Sequence, residues 1–182
     1  MLDHTTVQVL LAELQEDILP LSVTNDPGTI RRSATALATV CGLLDVPVTL
    51  AAAPRPGGPA IIGELRHLGA PHLRGTPACW DDPTLRETML GHHRRTLVIG
   101  GVTSEIVVLH TALDALAAGL DVQVLADVSG GLSHRTEDAA YRQIEAAGGR
   151  ITSVPSLVSD MVRDFTTPTG RQTITALHAA MA

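Results

Sequence analysis

Apolar and polar positions along the chain predict strands and helices in alternation. Short apolar runs rich in β-branched residues predict strands at Thr6–Leu11, Val46–Ala51, Thr96–Ile99, Asp121–Ala126 and Ile151–Val154. Helical spacing predicts helices at Thr29–Leu44, Pro83–Leu90, His134–Ala147, Ser156–Phe165 and Arg171–Met181, with a short helix at Ile61–Leu68. This order predicts one α/β domain over residues 1–182, a three-layer α/β/α sandwich with a central, mostly parallel sheet of Rossmann-like type.

The segment from Thr96 to Leu116 predicts a buried strand that passes through a glycine turn into a helix. Gly100 and Gly101 allow a tight turn, and the hydroxyls of Thr103 and Ser104 are suited to capping the helix that follows. The helical spacing is carried by Ile106, Leu109, Leu113 and Leu116. In an open α/β sheet this turn faces the crevice at the carboxyl end of the strand, where ligands bind.

Charge and composition narrow the class of partner. The net charge is −6, from 19 acidic and 13 basic residues with no basic stripe, which disfavours nucleic-acid binding. The chain has no apolar run long enough for a membrane span, and Asp3 and His4 stand where a secretory signal would have positive charge before an apolar stretch. We therefore expect a cytoplasmic protein that acts on a small molecule and does not contact a membrane.

Several residue types bear on the chemistry. All basic residues are arginines, which excludes a lysine-dependent mechanism. The two cysteines, Cys41 and Cys79, suit a reducing compartment without a disulfide, and Cys41 is predicted to lie in the core. His92 and His93 are adjacent and lack a carboxylate pattern, so no metal or other cofactor is predicted. Trp80 is either a surface for a ligand to pack against or a rim or core residue.

Three segments resemble motifs of the isochorismatase-like (cysteine hydrolase) superfamily. G-V-T-S-E-I-V-V, from Gly101, resembles its nucleophile motif G-V-T-[ST]-[DE]-x-C-V. A-C-W-D-D-P, from Ala78, resembles the N-A-W-D-N loop of one subgroup, and A-D-V-S-G-G from Ala126 resembles the D-A-S-G loop. The resemblance extends from the first strand to about Asp164. It implies the family's helix-flanked parallel sheet and a homo-oligomer, which alanine-rich helices at Thr111–Ala118 and Thr173–Ala182 would also favour.

Family hydrolases use an Asp–Lys–Cys triad, and the resemblance places other residues at all three positions. Glu13, in A-E-L-Q, falls on the aspartate; Arg74 is the nearest basic residue to the lysine position; Val107 falls on the cysteine. Glutamate can still transfer a proton, and arginine can hold a carboxylate, but valine has no nucleophilic atom. An apolar wall at Val107 would raise the pKa of Glu13, whereas Arg74 would lower it.

The resemblance therefore implies an enzyme without covalent catalysis. Glu13 would act as general acid or base, and Arg74 would bind an anionic group of a small acidic metabolite of the vinyl-ether or isochorismate type. Isochorismatases proper use their acidic residue to protonate a vinyl ether without the cysteine. The alternative is a catalytically silent family member that binds a ligand or serves in assembly.

Neighbouring residues complete the candidate site. The amides of Thr103, Ser104 and Glu105 could stabilise an oxyanion or bind a carboxylate. The family's cis peptide in this turn would fall at Val102–Thr103. His110 is either a core or interface histidine or a catalytic group, and Cys79 is either a small wall residue or a relocated nucleophile.

Overall fold

A six-stranded sheet forms the centre of the computed structural model, which describes residues 2–181. The strands are β1 (Val7–Ala12), β2 (Val48–Ala52), β3 (His72–Leu73), β4 (Thr96–Gly101), β5 (Asp121–Leu125) and β6 (Arg150–Thr152). Their order across the sheet is β3-β2-β1-β4-β5-β6, and all neighbouring pairs are parallel. β1 and β4 are central and buried along their whole length, as expected for strands covered on both faces.

Helices cover both faces of the sheet, so the predicted three-layer sandwich is confirmed. They are α1 (Pro27–Leu43), α2 (Pro83–Gly91), α3 (Leu109–Ala117), α4 (His134–Ala146), α5 (Val154–Met161) and α6 (Pro168–Met181). One apolar cluster joins the sheet to α1, α5 and α6, and the other joins it to α2, α3 and α4. Within residues 2–181, no helix combines the length and apolar character that crossing a bilayer requires.

The structure corrects several predicted boundaries. The pattern placed a strand at Ile151–Val154, but Val154 begins α5, whose N-cap Ser153 accepts a hydrogen bond from the Ser156 amide. Residues 72–73, which lie in none of the predicted elements, form the edge strand β3. Two residues are too short a run for periodicity to detect, because the strand is defined by pairing with β2.

The predicted helix after the glycine turn also differs in its first turn. Residues Ser104–Val108 form a π-helical turn before α3 begins at Leu109. This wider turn shifts the side chains out of the 3.6-residue register, so Ile106 is 48% exposed while Val107 and Val108 are fully buried. The prediction that Ile106 belongs to the apolar face of the helix was wrong for this reason.

Candidate functional site

The strand register brings the candidate residues to one edge of the sheet. Ala12 pairs with both Ala51 and Gly101, so the ends of β1, β2 and β4 lie level. Glu13 follows β1 and its amide donates to the Ala51 carbonyl at 2.8 Å. Arg74 follows β3 and its amide donates to the Ala52 carbonyl at 3.1 Å. The backbone thus places both residues on either side of the end of β2.

The side chains of Glu13 and Arg74 form an ion pair. The Nη2 atom of Arg74 donates to Oε1 of Glu13. The Arg74 side chain is 4% exposed and that of Glu13 is 17% exposed, so solvent reaches the pair from the Glu13 side. The buried Nε atom of Arg74 has no hydrogen-bond partner within the described chain. The guanidinium therefore keeps an unused donor beside the carboxylate.

A backbone angle and the side chain of Gln15 orient Glu13. Its φ angle is +57°, in the left-handed region that non-glycine residues seldom adopt. Two residues later, the Gln15 side chain accepts a hydrogen bond from the Ala53 amide at 2.7 Å and donates to the Ala53 carbonyl at 3.2 Å. Gln15 is fully buried and fastens the chain after β1 to the chain after β2. Gln15 ends the A-E-L-Q pattern, but no local signal in the sequence indicates its contact with Ala53.

Burial has the largest effect on the pKa of the Glu13 carboxyl. Loss of solvent raises the pKa of the Glu13 carboxyl, and the positive charges of Arg74 and Arg55 together with the Arg74 hydrogen bond only partly offset this. The sequence left the balance between the apolar wall and Arg74 open. In the structure desolvation prevails, which favours a carboxyl group that can donate a proton.

The turn after β4 contains the predicted cis peptide, between Val102 and Thr103. Close packing explains Gly101, because a Cβ atom there would lie 2.4 Å from the carbonyl oxygen of Ala12. Val107 follows in the π-helical turn and is fully buried, in one apolar cluster with Ala12 and Cys79. The position that resembles the family cysteine is thus an apolar wall at the same edge.

The hydroxyls of Thr103 and Ser104 do not cap the helix, so that prediction was wrong. Thr103 occupies the N-cap position without a side-chain hydrogen bond, and its buried Oγ1 has no partner among the described residues. Ser104 instead donates to Oε1 of Glu137 at 2.7 Å, and the Tyr141 hydroxyl donates to the same oxygen at 3.0 Å. The local pattern predicted that the Ser104 hydroxyl caps the helix, but packing against α4 engages it in a hydrogen bond to Glu137 instead.

Cys79 and Trp80 border the same apolar cluster. Cys79 is fully buried, and its amide donates to Oγ1 of Thr111 at 2.9 Å. Trp80 packs against the cluster while keeping part of its surface in solvent. The sequence did not indicate Thr111 as a site residue, because no local pattern reveals its contact with the loop.

The structure separates the histidines from the buried wall. His110 is exposed on α3, so the interpretation as a core histidine was wrong. His92 is partly buried, with Nε2 at 3.1 Å from Oγ1 of Thr49, and His93 is exposed. Across residues 2–181, no cluster of three or more histidine, cysteine or acidic residues is placed to hold a metal ion.

A cavity of about 950 Å³ lies away from these residues, on the opposite face of the sheet. It is formed by α1 and α6 and lined in part by Arg31, Arg32 and Arg171. None of the three positions that match the family triad lines it. The volume of this cavity therefore does not identify the candidate site. The site is identified by the ends of β1, β2 and β4, which lie level, and by the charged side chains of Glu13 and Arg74 beside them.

Known proteins share this arrangement of strands and helices. The family model described as the isochorismatase domain matches residues 9–156. The Probable hydrolase YcaC of Escherichia coli is 26% identical over 90% of this chain and 81% of its own length. Mouse Isochorismatase domain-containing protein 2A is 29% identical over 88% of this chain and 77% of its own.

Solved structures agree with these sequence matches. YcaC from Pseudomonas aeruginosa, solved with hexane-2,5-diol and covalent acrylamide, superposes with a TM-score of 0.89 at 26% identity, covering 99% of this chain and 93% of that one. The E. coli YcaC structure, described as an octameric hydrolase of unknown specificity, gives a TM-score of 0.87 at 26% identity, covering 99% and 88%. With the matched domain spanning most of its length, this chain belongs to the isochorismatase family.

Proposed function

We propose that the protein is an isochorismatase-family hydrolase or lyase that acts on a small acidic metabolite without a nucleophile at position 107. The observation that carries the proposal is the ion pair of Glu13 and Arg74 at the carboxyl edge of the sheet. Glu13 is the general acid or base, and Arg74 binds the anionic group of the substrate. Vinyl ethers of the isochorismate type, or related metabolites, are the proposed substrates.

The protonation tendency of Glu13 supports this role. Because burial raises the pKa of its carboxyl, a larger fraction holds a proton near neutral pH than in an exposed glutamate. Protonation of a vinyl ether at its terminal carbon creates positive charge on the ether-bearing carbon, and water then completes the hydrolysis. Loss of the Glu13 charge also releases Arg74 to pair with the substrate carboxylate.

The surrounding residues support binding rather than attack. The unpartnered Nε of Arg74 offers a further donor to an anion. Val107 contributes an apolar wall, and Trp80 a surface against which a flat substrate can pack. The Ser104 amide donates to the Gly130 carbonyl at 2.9 Å, so the expectation that it binds an anion was wrong. The amides of Thr103 and Glu105, at the start of the helical segment after β4, are the proposed donors to an anion or oxyanion. No metal or organic cofactor enters the proposal.

A silent family member that serves in ligand binding or assembly is the second candidate. The Cys79 thiol is completely buried and Val107 has no nucleophilic atom, which favours this candidate because neither residue presents an exposed nucleophile.

We also propose a homo-oligomer in the cytoplasm, supported by the octameric E. coli relative and by apolar side chains exposed on this single chain at Leu21, Val23, Ile106 and Leu132. Part of the alanine-rich α6 packs on α1 of the same chain, and Ala182 lies outside the described residues.

The test is a screen of small esters, amides and enol ethers with three proteins: wild type, Glu13→Gln and Glu16→Gln. Glu16 is a matched control because it is an exposed carboxylate nearby, paired with Arg31 instead of Arg74. We expect turnover of an enol ether that falls about 10²–10⁴-fold in Glu13→Gln and little in Glu16→Gln. Unchanged turnover in Glu13→Gln removes Glu13 from the mechanism, and no turnover of any class favours the silent candidate.

A further inference from the structure

The cavity of about 950 Å³ between α1 and α6 has the size of a small-molecule site. Its walls are a stripe of α1 from Arg31 to Leu43 and a stripe of α6 from Pro168 to Ala179, each made of residues three or four apart. At about 1.5 Å per residue, each wall is roughly 16–18 Å long. The cavity therefore has room for an elongated ligand that lies along the two helices.

The threonines of this lining have no hydroxyl donor to spare. Thr35, Thr39 and Thr175 each donate to a carbonyl one turn back on their own helix, at 2.7, 2.9 and 2.9 Å. Small apolar side chains such as Ala36 and Ala176 lie beside them. Since these hydroxyls already have acceptors, this part of the lining is suited to the apolar body of a ligand.

The arginines of the lining differ in their partners. Arg31 is paired with two carboxylates, those of Glu16 and Glu64. Arg32 and Arg171 have only neutral hydrogen-bond acceptors, and neither forms an ion pair among the described residues. On a protein of net charge −6, two guanidinium groups without a carboxylate make this lining locally cationic. Charge complementarity therefore favours an anionic group on the ligand.

We propose that the cavity binds a small amphiphilic carboxylate of the medium-chain fatty acid class. The carboxylate pairs with the guanidinium groups of Arg32 and Arg171, and the acyl chain lies along the alanines and threonines of α1 and α6. Burial of the acyl chain supplies most of the affinity, because ion pairs of exposed guanidinium groups contribute little on their own. None of Glu13, Arg74 and Val107 lines the cavity, so this site is separate from the proposed active site.

Isothermal titration calorimetry of the folded protein with three probes tests the class of ligand. Decanoate carries both the acyl chain and the negative charge, decyltrimethylammonium carries an equally long chain with a positive charge, and acetate carries the negative charge alone. We expect decanoate to bind at least about tenfold more tightly than either control probe. Without a local cationic site, a protein of net charge −6 would instead favour the cation.

Variants at exposed positions locate the bound decanoate. The double variant Arg32→Gln, Arg171→Gln removes the two unpaired cations of the cavity and should weaken decanoate binding about tenfold. The matched control Arg135→Gln, Arg142→Gln removes the same charge from α4, on the other face of the sheet, and should leave the affinity unchanged. Thr39→Trp places a large side chain in the cavity and should weaken binding by at least as much as the first double variant.

Equal affinity for decanoate and decyltrimethylammonium would overturn the proposal. Wild-type affinity in the double variant of the cavity or in Thr39→Trp would do the same, with circular dichroism confirming that both are folded. Absence of decanoate binding, together with a Thr39→Trp protein that loses self-association in sedimentation velocity, would assign the cavity to a second copy of the chain instead. Binding is measured without turnover, so the result is independent of the proposed function.

Discussion

Two polar clusters lie near the carboxyl edge of the sheet, and they differ in how completely their groups are hydrogen-bonded. In the turn cluster, formed by Ser104, Glu137 and Tyr141, one carboxylate oxygen accepts hydrogen bonds from both hydroxyls. In the site pair, Glu13 and Arg74 share one contact, and the Arg74 Nε has no partner in the described chain. The first cluster is closed, whereas the second keeps capacity for a ligand.

The difference separates structural from chemical roles. Burial raises the pKa of the Tyr141 hydroxyl far above its ordinary value, so it remains a neutral donor that holds α4 to the turn after β4. Burial also raises the pKa of Glu13, but there the group is partly solvent-accessible and its proton can exchange. Perturbed groups with unused hydrogen-bonding capacity are the better candidates for function.

The largest expected effect is on stability, from breaking the turn cluster. Glu137→Ala leaves the buried Ser104 hydroxyl and the Tyr141 hydroxyl without their acceptor, and we expect a loss of about 2–4 kcal/mol in the free energy of unfolding. Glu137→Gln keeps an acceptor oxygen and should cost less than about 1.5 kcal/mol. Urea unfolding followed by circular dichroism measures both, and equal losses would show that the hydrogen bonds do not stabilise the turn.

Breaking the site pair should have a smaller and pH-dependent effect. Arg74→Ala leaves Glu13 partly buried without its cation, and we expect a loss of about 2–3 kcal/mol at neutral pH. Because the pKa of Glu13 is raised in the folded protein, folding favours its protonated form. The loss should therefore shrink as the pH falls through that raised pKa.

Unfolding free energies of wild type and Arg74→Ala at pH 7 and at about pH 4 test this sign. Arg74→Lys is the matched variant that keeps the charge and should show a smaller loss. A loss that is the same at both pH values would mean that the charge of Glu13 is not what Arg74 balances.

The link between β1 and β2 should contribute less than either cluster. Gln15→Ala removes the acceptor of the Ala53 amide and the donor to its carbonyl, and we expect a loss of about 1–2 kcal/mol. Since Gln15 orients the chain beside Glu13, turnover of any substrate found should fall as well. Gln15→Glu keeps the acceptor only and should lie between, and full activity in Gln15→Ala would contradict this positioning role.

The smallest effect is expected at the exposed apolar surface. Ile106 is 48% exposed, so Ile106→Ser should change the stability of the single chain by less than about 0.5 kcal/mol. If Ile106 lies in the contact between subunits, the same variant weakens self-association. Sedimentation velocity distinguishes the two results, and an unchanged oligomer would place the subunit contact elsewhere.

Pattern and resemblance predicted the layers of the fold and the shared edge of Glu13, Arg74 and Val107. Apolar runs identify strands buried on both faces, and the resemblance supplied the register of the turn, including the cis peptide at Val102–Thr103. These features depend on local sequence or on motifs of fixed length.

Other features depend on contacts that no local pattern contains. The π-helical turn exposes Ile106, the Ser104 hydroxyl bonds to Glu137 on α4, and the Cys79 amide bonds to Thr111 on α3. The sign of the pKa shift at Glu13 likewise depends on how far Arg74 offsets burial, which only the packed structure fixes. The sequence indicates which charged groups are present, but not whether burial or Arg74 has the larger effect on the pKa of Glu13.

Burial outweighs the attraction of Arg74 and raises the pKa of the Glu13 carboxyl, as the proposed role of proton donor requires. An NMR titration of the protein with ¹³C-labelled glutamate, with the Glu13 signal assigned by its loss in Glu13→Gln, measures this directly. We predict a Glu13 pKa above that of glutamate in the unfolded chain, and a further rise in Arg74→Ala. A Glu13 pKa at or below the unfolded value would contradict the proposed role, since Glu13 would then be a permanent carboxylate held in a structural ion pair.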